Sequence, residues 1–199
     1  MLAQQPERIA AALPYDGRLV VVASGATIAS TLEALCADDG VEWPVLVTTA
    51  DHALLSSEMI ADFLAKSEGA DVAIGLVSSD ALLKRLPQTK RTWLKFRGGA
   101  YSGANLFLLG GSQVRPAIEV WRASEQNRKK AWRMMLTLGF SGFLGAVLRL
   151  RTLQQTLDAV GRKLGLKIRA VEMSDPLAAV DVDKPADHEL VTAILEGRA

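Results

Sequence analysis

The chain has 199 residues, of which 49% are hydrophobic and 23% are charged, with a formal net charge of +1. These values exclude a wholly disordered chain and allow one domain with a substantial buried core. The single cysteine excludes an internal disulfide, and one cysteine with two histidines makes a zinc centre a poor expectation.

The first half of the chain alternates between strand and helix patterns. Residues 18–24 form a short run rich in β-branched side chains, which predicts a strand buried on both faces. Residues 44–49 and 71–77 predict two further buried strands, with a helix between them that begins after Ser56 and ends before Gly69. This order favours an α/β fold with a mixed, mostly parallel sheet and helices on both faces.

The second half is less regular. Residues 90–97 are basic and precede a glycine turn, and residues 105–109 predict another strand. Helical patterns fill 114–164, an edge strand is expected at 167–173, and a short extended segment at 179–183 leads to a closing helix that starts near Pro185.

Positive charge is concentrated in one region. Residues 128–169 hold ten Lys or Arg and one acid, whereas the remainder of the chain has a net charge of −8. The uncharged stretch 134–148 is too short for a spanning helix, so core packing is the favoured interpretation. The sharper alternative is contact of 128–165 with a membrane surface or a lipid-linked substrate.

The domain organisation and location follow from the same patterns. We expect a single domain over 1–199 with a basic helical insertion at about 114–165. The first residues are too polar and acidic for a secretory signal, so a cytoplasmic location is expected. Nucleic acid is not an expected partner, because the basic residues form no known recognition motif.

Acidic residues follow two of the predicted strands. Asp51 lies just past residues 44–49, where ligands of parallel sheets bind, and could hold Mg²⁺. Asp181 and Asp183 alternate along an extended segment and so share a face. Judged on local pattern alone, turn or helix-capping roles are at least as good an interpretation of these three residues.

Two other segments could contact an anionic substrate. The strand-to-helix turn over residues 25–30 offers backbone amides and hydroxyls, although such turns are common. The cations at positions 90, 91, 95 and 97 could clamp a phosphate, or they could decorate a solvated hairpin.

Together these segments resemble the MobA-like nucleotidyltransferases. Residues 44–55 resemble the metal-binding strand end of that family, and residues 179–187, with the pattern D-x-D-x-P-x-D, look like its closing segment. Residues 25–35 are similar to the segment that contacts the nucleotide base, and residues 102–107 to the segment near the acceptor. The likeness covers about 17–195 and implies a GT-A-like, Rossmann-like fold.

The resemblance also implies an activity and a set of residues. The reaction would be transfer of a nucleoside monophosphate from an NTP to a small phosphorylated or carboxylated acceptor, with release of pyrophosphate. The implied roles are Mg²⁺ binding by Asp51 and Asp183 with Asp181 as a substitute, nucleotide binding by Gly25, Thr27 and Ser30 (or Thr31, in a shifted register), acceptor binding by Asn105, and catalysis by the cations Lys95 and Arg91.

One departure from the family pattern leaves alternatives open. Related enzymes open with a strand and a glycine-rich loop that wraps the triphosphate, and only an amphipathic stretch, 1–13, precedes residue 18 here. A late start codon, a truncation or a degenerate member would each account for this. The competing interpretations are a non-catalytic nucleotide-binding relative and a GT-A glycosyltransferase that uses a nucleotide-sugar.

Overall fold

A computed structural model of the chain describes residues 1–13, 17, 20–126 and 150–198. These residues form two compact units. The first unit draws on Met1–Glu42 and Ser112–Thr137, and the second on Trp43–Gly111 and Leu138–Ala199.

The first unit is mainly helical. Strands β1 (Leu2–Ala3) and β2 (Val22–Ala23) form a short parallel pair, and helix α1 (Pro6–Ala12) lies between them in the chain. Helix α2 (Ile28–Cys36) packs against helix α5 (Arg115–Gln126), which follows a 3₁₀ turn at Ser112–Val114. An ion pair joins the two helices, with 2.7 Å between Arg122 Nη1 and Glu33 Oε2.

The second unit is built on a mixed sheet. Its strands are β3 (Val45–Thr48), β4 (Val72–Ser78), β5 (Leu94–Phe96), β6 (Gly99–Leu109) and β7 (Ile168–Glu172). The order is β3-β6-β4-β7, and β5 forms an antiparallel hairpin with β6. Because β6 is antiparallel to both β3 and β4, and β7 is parallel to β4, strands β3, β4 and β7 run in one direction.

Helices cover both faces of this sheet. The helices of the second unit are α3 (Ser57–Lys66), α4 (Ser79–Arg85), α6 (Leu153–Leu164) and α7 (Pro185–Leu195). On one face, α3, α4 and α7 contribute Phe63, Leu82 and Val191 to a core shared with alternate residues of β4 and β6. On the other face, α6 packs against β7. Ile168 of β7 pairs with Val72 of β4, and both belong to the face of the sheet opposite that core.

The predicted fold class is confirmed: the chain has a Rossmann-like α/β fold with helices on both faces of a mixed sheet. Several local predictions hold as well, since Ser56 caps α3 by accepting a hydrogen bond from the Met59 amide at 3.2 Å, and Gly69 follows that helix with φ 74°. The closing helix starts at Pro185. The basic segment enters a hairpin that turns at Gly98.

The prediction for residues 18–24 was wrong. In the described part of this run only Val22–Ala23 is a strand, and Val20 and Val22 are 66% and 47% exposed. An apolar run is buried on both faces only when layers cover it, and β2 pairs only with the two residues of β1 in the described part of the chain.

The expectation of a single domain with a basic insertion at about 114–165 stays a prediction, because 127–149, including the apolar stretch 134–148, lie outside the described residues. In the described parts of the chain, none of the helices combines the length and apolar character needed to cross a bilayer.

The turn after α6 needs glycine at position 161. The Gly161 carbonyl accepts a hydrogen bond from the Leu166 amide at 2.9 Å, and the turn passes through Gly165 with φ 70°. A Cβ atom at residue 161 would lie 2.4 Å from the Leu166 carbonyl oxygen. Since the clashing atom belongs to the backbone, the turn itself would have to shift.

Gly161→Ala is therefore expected to destabilise the fold by about 1–3 kcal/mol, as overpacking does, although alanine is the better helix former. Urea denaturation measures the change. The matched control is Gly103→Ala on β6, where a Cβ meets nothing within 4 Å, and its effect should stay within about 0.5 kcal/mol. Equal stability of the two variants would contradict this account of the turn.

Asp62 joins α3 to the segment that follows β7. Its carboxylate accepts hydrogen bonds from Lys66 Nζ at 2.9 Å, from the Ser174 amide at 3.0 Å and from Ser174 Oγ at 3.1 Å. The Lys66 ammonium first, and then the Ser174 amide, hold the pKa of Asp62 below its usual value. The ionised carboxylate thus stabilises the point where the chain leaves the sheet.

Asp62→Asn should lower the free energy of unfolding by about 1–2 kcal/mol at neutral pH, because it weakens the hydrogen bonds from Lys66 and Ser174. Solvent screening of the partly exposed Lys66 limits the size of this loss. A depressed folded-state pKa contributes stability above the unfolded pKa of about 4, and this contribution is lost as the pH falls through the folded value. Denaturation is measured at pH 7 and at pH 3, and the gap in free energy of unfolding between variant and wild type should be smaller at pH 3. Glu68→Gln, at an exposed position, is the control. A gap of equal size at both pH values would refute the assignment.

Candidate functional site

The candidate site lies at one edge of the sheet of the second unit. Strands β3, β4 and β7 end at this edge, and the chain after β7 returns across it through the buried residues Ala178, Ala179 and Val180. The Val182 amide then donates a hydrogen bond to the Asp51 carbonyl at 3.1 Å. The segment after β7 is thereby joined to the residue just past the end of β3.

This contact brings the three predicted aspartates together. One carboxylate oxygen from each of Asp51, Asp181 and Asp183 lies within 4.8 Å of the others. Asp51 and Asp181 are partly buried, whereas Asp183 is exposed. We call these three residues the aspartate cluster. Their function as metal ligands stays a prediction.

Within the cluster, Asp181 is held by two neighbours. The Arg91 guanidinium donates a hydrogen bond and forms an ion pair with Oδ1, and the Asn105 amide donates to Oδ2 at 3.0 Å. The side chains of Arg91 and Asp181 are 16% and 19% exposed. Although burial by itself raises the pKa of Asp181, the hydrogen bond and charge of Arg91 lower it below its usual value. Asp181 is therefore an ionised group with both oxygens in use.

Asn105 reaches Asp181 from an unusual backbone position. Ile74 of β4 pairs with Phe107 of β6, whereas Leu76 pairs with Gly103, so a bulge interrupts the ladder around Asn105. Asn105 has φ 49°, in the left-handed region that non-glycine residues rarely adopt. Bulges and left-handed residues often re-aim side chains at functional sites. Here the bulge accompanies the amide that holds Asp181.

Buried polar atoms without partners surround the end of β3. Asp51 Oδ1 and Thr49 Oγ1 are inaccessible to solvent and have no hydrogen-bond partner among the described residues. A buried polar oxygen without a partner is costly in a folded protein. A carboxylate with such an oxygen, grouped with two further carboxylates, fits the oxygen-donor sets that hold Mg²⁺.

His52 packs directly behind the cluster. It is only 6% exposed, and its Nδ1 lies 3.4 Å from Thr48 Oγ1. Burial lowers the pKa of His52, although the Asp181 and Asp51 carboxylates act in the opposite direction. Thr48 is thus the side chain that faces Nδ1, at the end of strand β3.

The closing helix is capped by a different aspartate. Asp187 Oδ2 accepts hydrogen bonds from the Lys184 amide at 2.9 Å and the Asp183 amide at 3.2 Å. The capping role that the sequence offered for Asp183 is therefore filled by Asp187, three residues into the helix. The Asp183 side chain belongs to the aspartate cluster instead.

The predicted catalytic cations occupy different positions. Arg91 contacts the cluster through Asp181. Lys95 is exposed on β5, and no hydrogen bond or ion pair links it to the three aspartates in the described structure. Of the two, only Arg91 contacts the site in this structure.

The predicted nucleotide-binding turn lies in the first unit, where its side chains make local hydrogen bonds. Thr27 caps α2 by accepting from the Ser30 amide at 3.1 Å, and Ser30 Oγ accepts from the Thr27 amide at 2.9 Å. Thr31 Oγ1 accepts from the Gly25 amide at 2.9 Å. These contacts explain the helix start, and nucleotide binding by Gly25, Thr27 and Ser30 stays a prediction.

Sequence reasoning missed two features of the site. The Arg91–Asp181 pair joins residues 90 positions apart, and no sequence signal identifies one basic residue of the 90–97 segment as its member. The sequence predicts Thr49 only as the last residue of a strand, and its buried hydroxyl without a partner in the described residues is the second feature. The one available signal was its place beside Asp51, since polar side chains at the carboxyl end of a parallel strand often face a ligand.

Comparisons with known proteins bear on the fold of the chain. No protein-family model matches the chain, and no curated protein matches it. Among solved structures, it is similar to one from Thermus thermophilus described as a hypothetical transferase. The TM-score is 0.74 at 27% sequence identity, covering 94% of this chain and 77% of the other. The chain therefore shares the fold of that transferase.

The left-handed backbone at position 105 can be tested separately from its amide. Asn105→Gly and Asn105→Ala both remove the hydrogen bond to Asp181, but only alanine retains the steric cost of positive φ. The alanine variant should be less stable by about 1 kcal/mol in urea denaturation. At Ala100, on the same strand and without a positive φ, a glycine should instead destabilise the strand. An alanine variant as stable as the glycine variant would show that the bulge relaxes without strain.

Proposed function

We propose that this protein is a Mg²⁺-dependent nucleotidyltransferase of the MobA-like kind. The observation that carries the proposal is the aspartate cluster at the carboxyl edge of the sheet, with a buried oxygen on Asp51 that has no partner among the described residues. In open α/β sheets this edge is where ligands bind. The likeness to a hypothetical transferase adds support for a group-transfer reaction.

The residues at the site fit a hard divalent cation. Asp51 and Asp183 would hold Mg²⁺, which prefers one or two carboxylates together with substrate phosphate oxygens. When bound, the ion would offset negative charge on the transferring phosphoryl group and on the leaving pyrophosphate. The exposure of Asp183 leaves the cluster accessible to a phosphate chain from solvent.

The remaining residues would position the substrates. Arg91 would supply positive charge beside the cluster, and Lys95 is exposed on the hairpin that follows it in the chain. Neutral, buried His52 adds no charge next to Asp51 and supports the strand end by packing. Asn105 would act through Asp181 rather than on the acceptor directly, which changes the role expected from the sequence.

The proposed reaction has a simple balance. An ionised oxygen of a phosphorylated or carboxylated acceptor attacks the α-phosphorus of an NTP and forms a new P–O bond. The bond between the α-phosphorus and the bridging oxygen breaks, and pyrophosphate leaves with that electron pair. Because the attacking oxygen is already ionised, no protein base is required. Catalysis then rests on positioning and charge stabilisation.

The proposal predicts nucleotide binding that depends on Mg²⁺ and on Asp51. ATP, GTP, CTP and UTP are each titrated with and without Mg²⁺, and the melting temperature is followed. A ligand that binds only the folded state stabilises it by about 2.7 kcal/mol at a hundredfold excess over Kd. One nucleotide should give a Mg²⁺-dependent shift, and the same nucleotide should release pyrophosphate when the correct acceptor is present.

The matched variants are Asp51→Asn and Asp158→Asn. Asp158 is exposed on α6 and hydrogen-bonds to Gln154, away from the aspartate cluster, so its variant should keep the shift, whereas Asp51→Asn should lose it. A shift with nucleotide-sugars alone would favour a glycosyltransferase. A shift without turnover for any acceptor would favour a non-catalytic relative, and no shift with any nucleotide would reject the proposal.

A further inference from the structure

We infer that Arg91 is the counter-ion of the aspartate cluster. Because Arg91 binds Asp181, Asp181 has a positioning role, and Asp51 and Asp183 are the ligands of a divalent cation. This inference rests on the proposed function and specifies how its cation site is divided. It differs from the sequence-based expectation, in which Asp181 was a substitute metal ligand and Arg91 a phosphate clamp.

The carboxylates of the cluster differ in the hydrogen bonds that they already accept. Both carboxylate oxygens of Asp181 already accept hydrogen bonds, one from Arg91 and the other from Asn105. By contrast, Asp51 Oδ1 is buried and has no partner among the described residues. Binding of a cation by Asp51 Oδ1 would displace no hydrogen bond from that oxygen, whereas Asp181 would first have to give up a charged hydrogen bond.

The charges of the cluster favour the same division. Three carboxylates within 4.8 Å repel one another, and opposite charge nearby reduces that repulsion. The Arg91 guanidinium supplies one positive charge inside the fold. The cluster then has a net charge of −2, which one divalent cation balances.

The side chain of Asp181 is also held in a fixed position. Asn105 holds Oδ2 from a left-handed residue within a β-bulge, a backbone arrangement that persists only when the surrounding structure supports it. Arg91 holds Oδ1 from the segment before β5. Asp181 is therefore fixed from strand β6 and from the segment before β5, as expected for a residue that positions its neighbours.

The counter-ion has a measurable consequence that a phosphate clamp does not share. In the absence of nucleotide, removing the Arg91 charge frees Asp181 and raises the negative charge of the cluster. Arg91→Gln should therefore bind Mn²⁺ more tightly than the wild type, by at least about fivefold in Kd. A purely structural role would produce the opposite result, because a damaged site binds metal less well.

The experiment is a titration of the full chain with Mn²⁺ alone, in which free Mn²⁺ is measured by electron paramagnetic resonance. Arg91→Lys keeps the charge and should bind like the wild type. Lys84→Gln removes an exposed cation of α4 and should also leave the Kd unchanged. Asp51→Asn should abolish binding. If Arg91→Gln folds poorly, Arg91→Met serves as the second neutral variant, and its melting temperature with and without Mn²⁺ gives an independent measure.

Tighter Mn²⁺ binding by the neutral Arg91 variants, with both controls unchanged, supports the inference. Unchanged or weaker binding by those variants overturns it, and so does the absence of Mn²⁺ binding by every protein in the series. Pyrophosphate release by the wild type with NTP and Mg²⁺ is measured separately. Activity without the Arg91 effect would reject the counter-ion and leave nucleotidyl transfer in place.

Discussion

The candidate site depends on one backbone hydrogen bond, from the Val182 amide to the Asp51 carbonyl. It joins two segments that are 131 positions apart in the chain. Ala178, Ala179 and Val180, just before Val182, are buried in the core, and this burial commits the chain after β7 to a path across the edge of the sheet. Without that path, the acidic residues of the two segments would not lie close together.

The aspartate cluster carries more charge than a partly buried site normally tolerates. The structure reduces this cost by pairing Asp181 with Arg91 and Asn105 and by leaving Asp183 exposed to solvent. What remains is a buried Asp51 oxygen that finds no partner in the part of the chain that the structure describes. Burying an unpaired polar atom costs stability, and folded proteins keep such atoms mainly where function needs them.

The sequence predicted local elements well where the signal was local. Ser56 and Gly69 mark the ends of α3 as expected, and Pro185 starts the closing helix. The prediction failed for residues 18–24, where an apolar run suggested a buried strand and the structure has exposed valines. Apolar composition reports what a strand could bury, but burial itself requires other layers to cover it, and those come from distant parts of the chain.

The sequence by itself determined the α/β class, the alternation of strands and helices, and the aspartates that end two segments, because caps, turns and apolar periodicity act over a few residues. Tertiary structure decided which groups meet. It placed β6 between β3 and β4 and paired Asp181 with Arg91 rather than with the other cations of residues 90–97. These outcomes follow from strand order and from the bulge at Asn105, which are set by long-range packing and leave no periodic mark in the sequence.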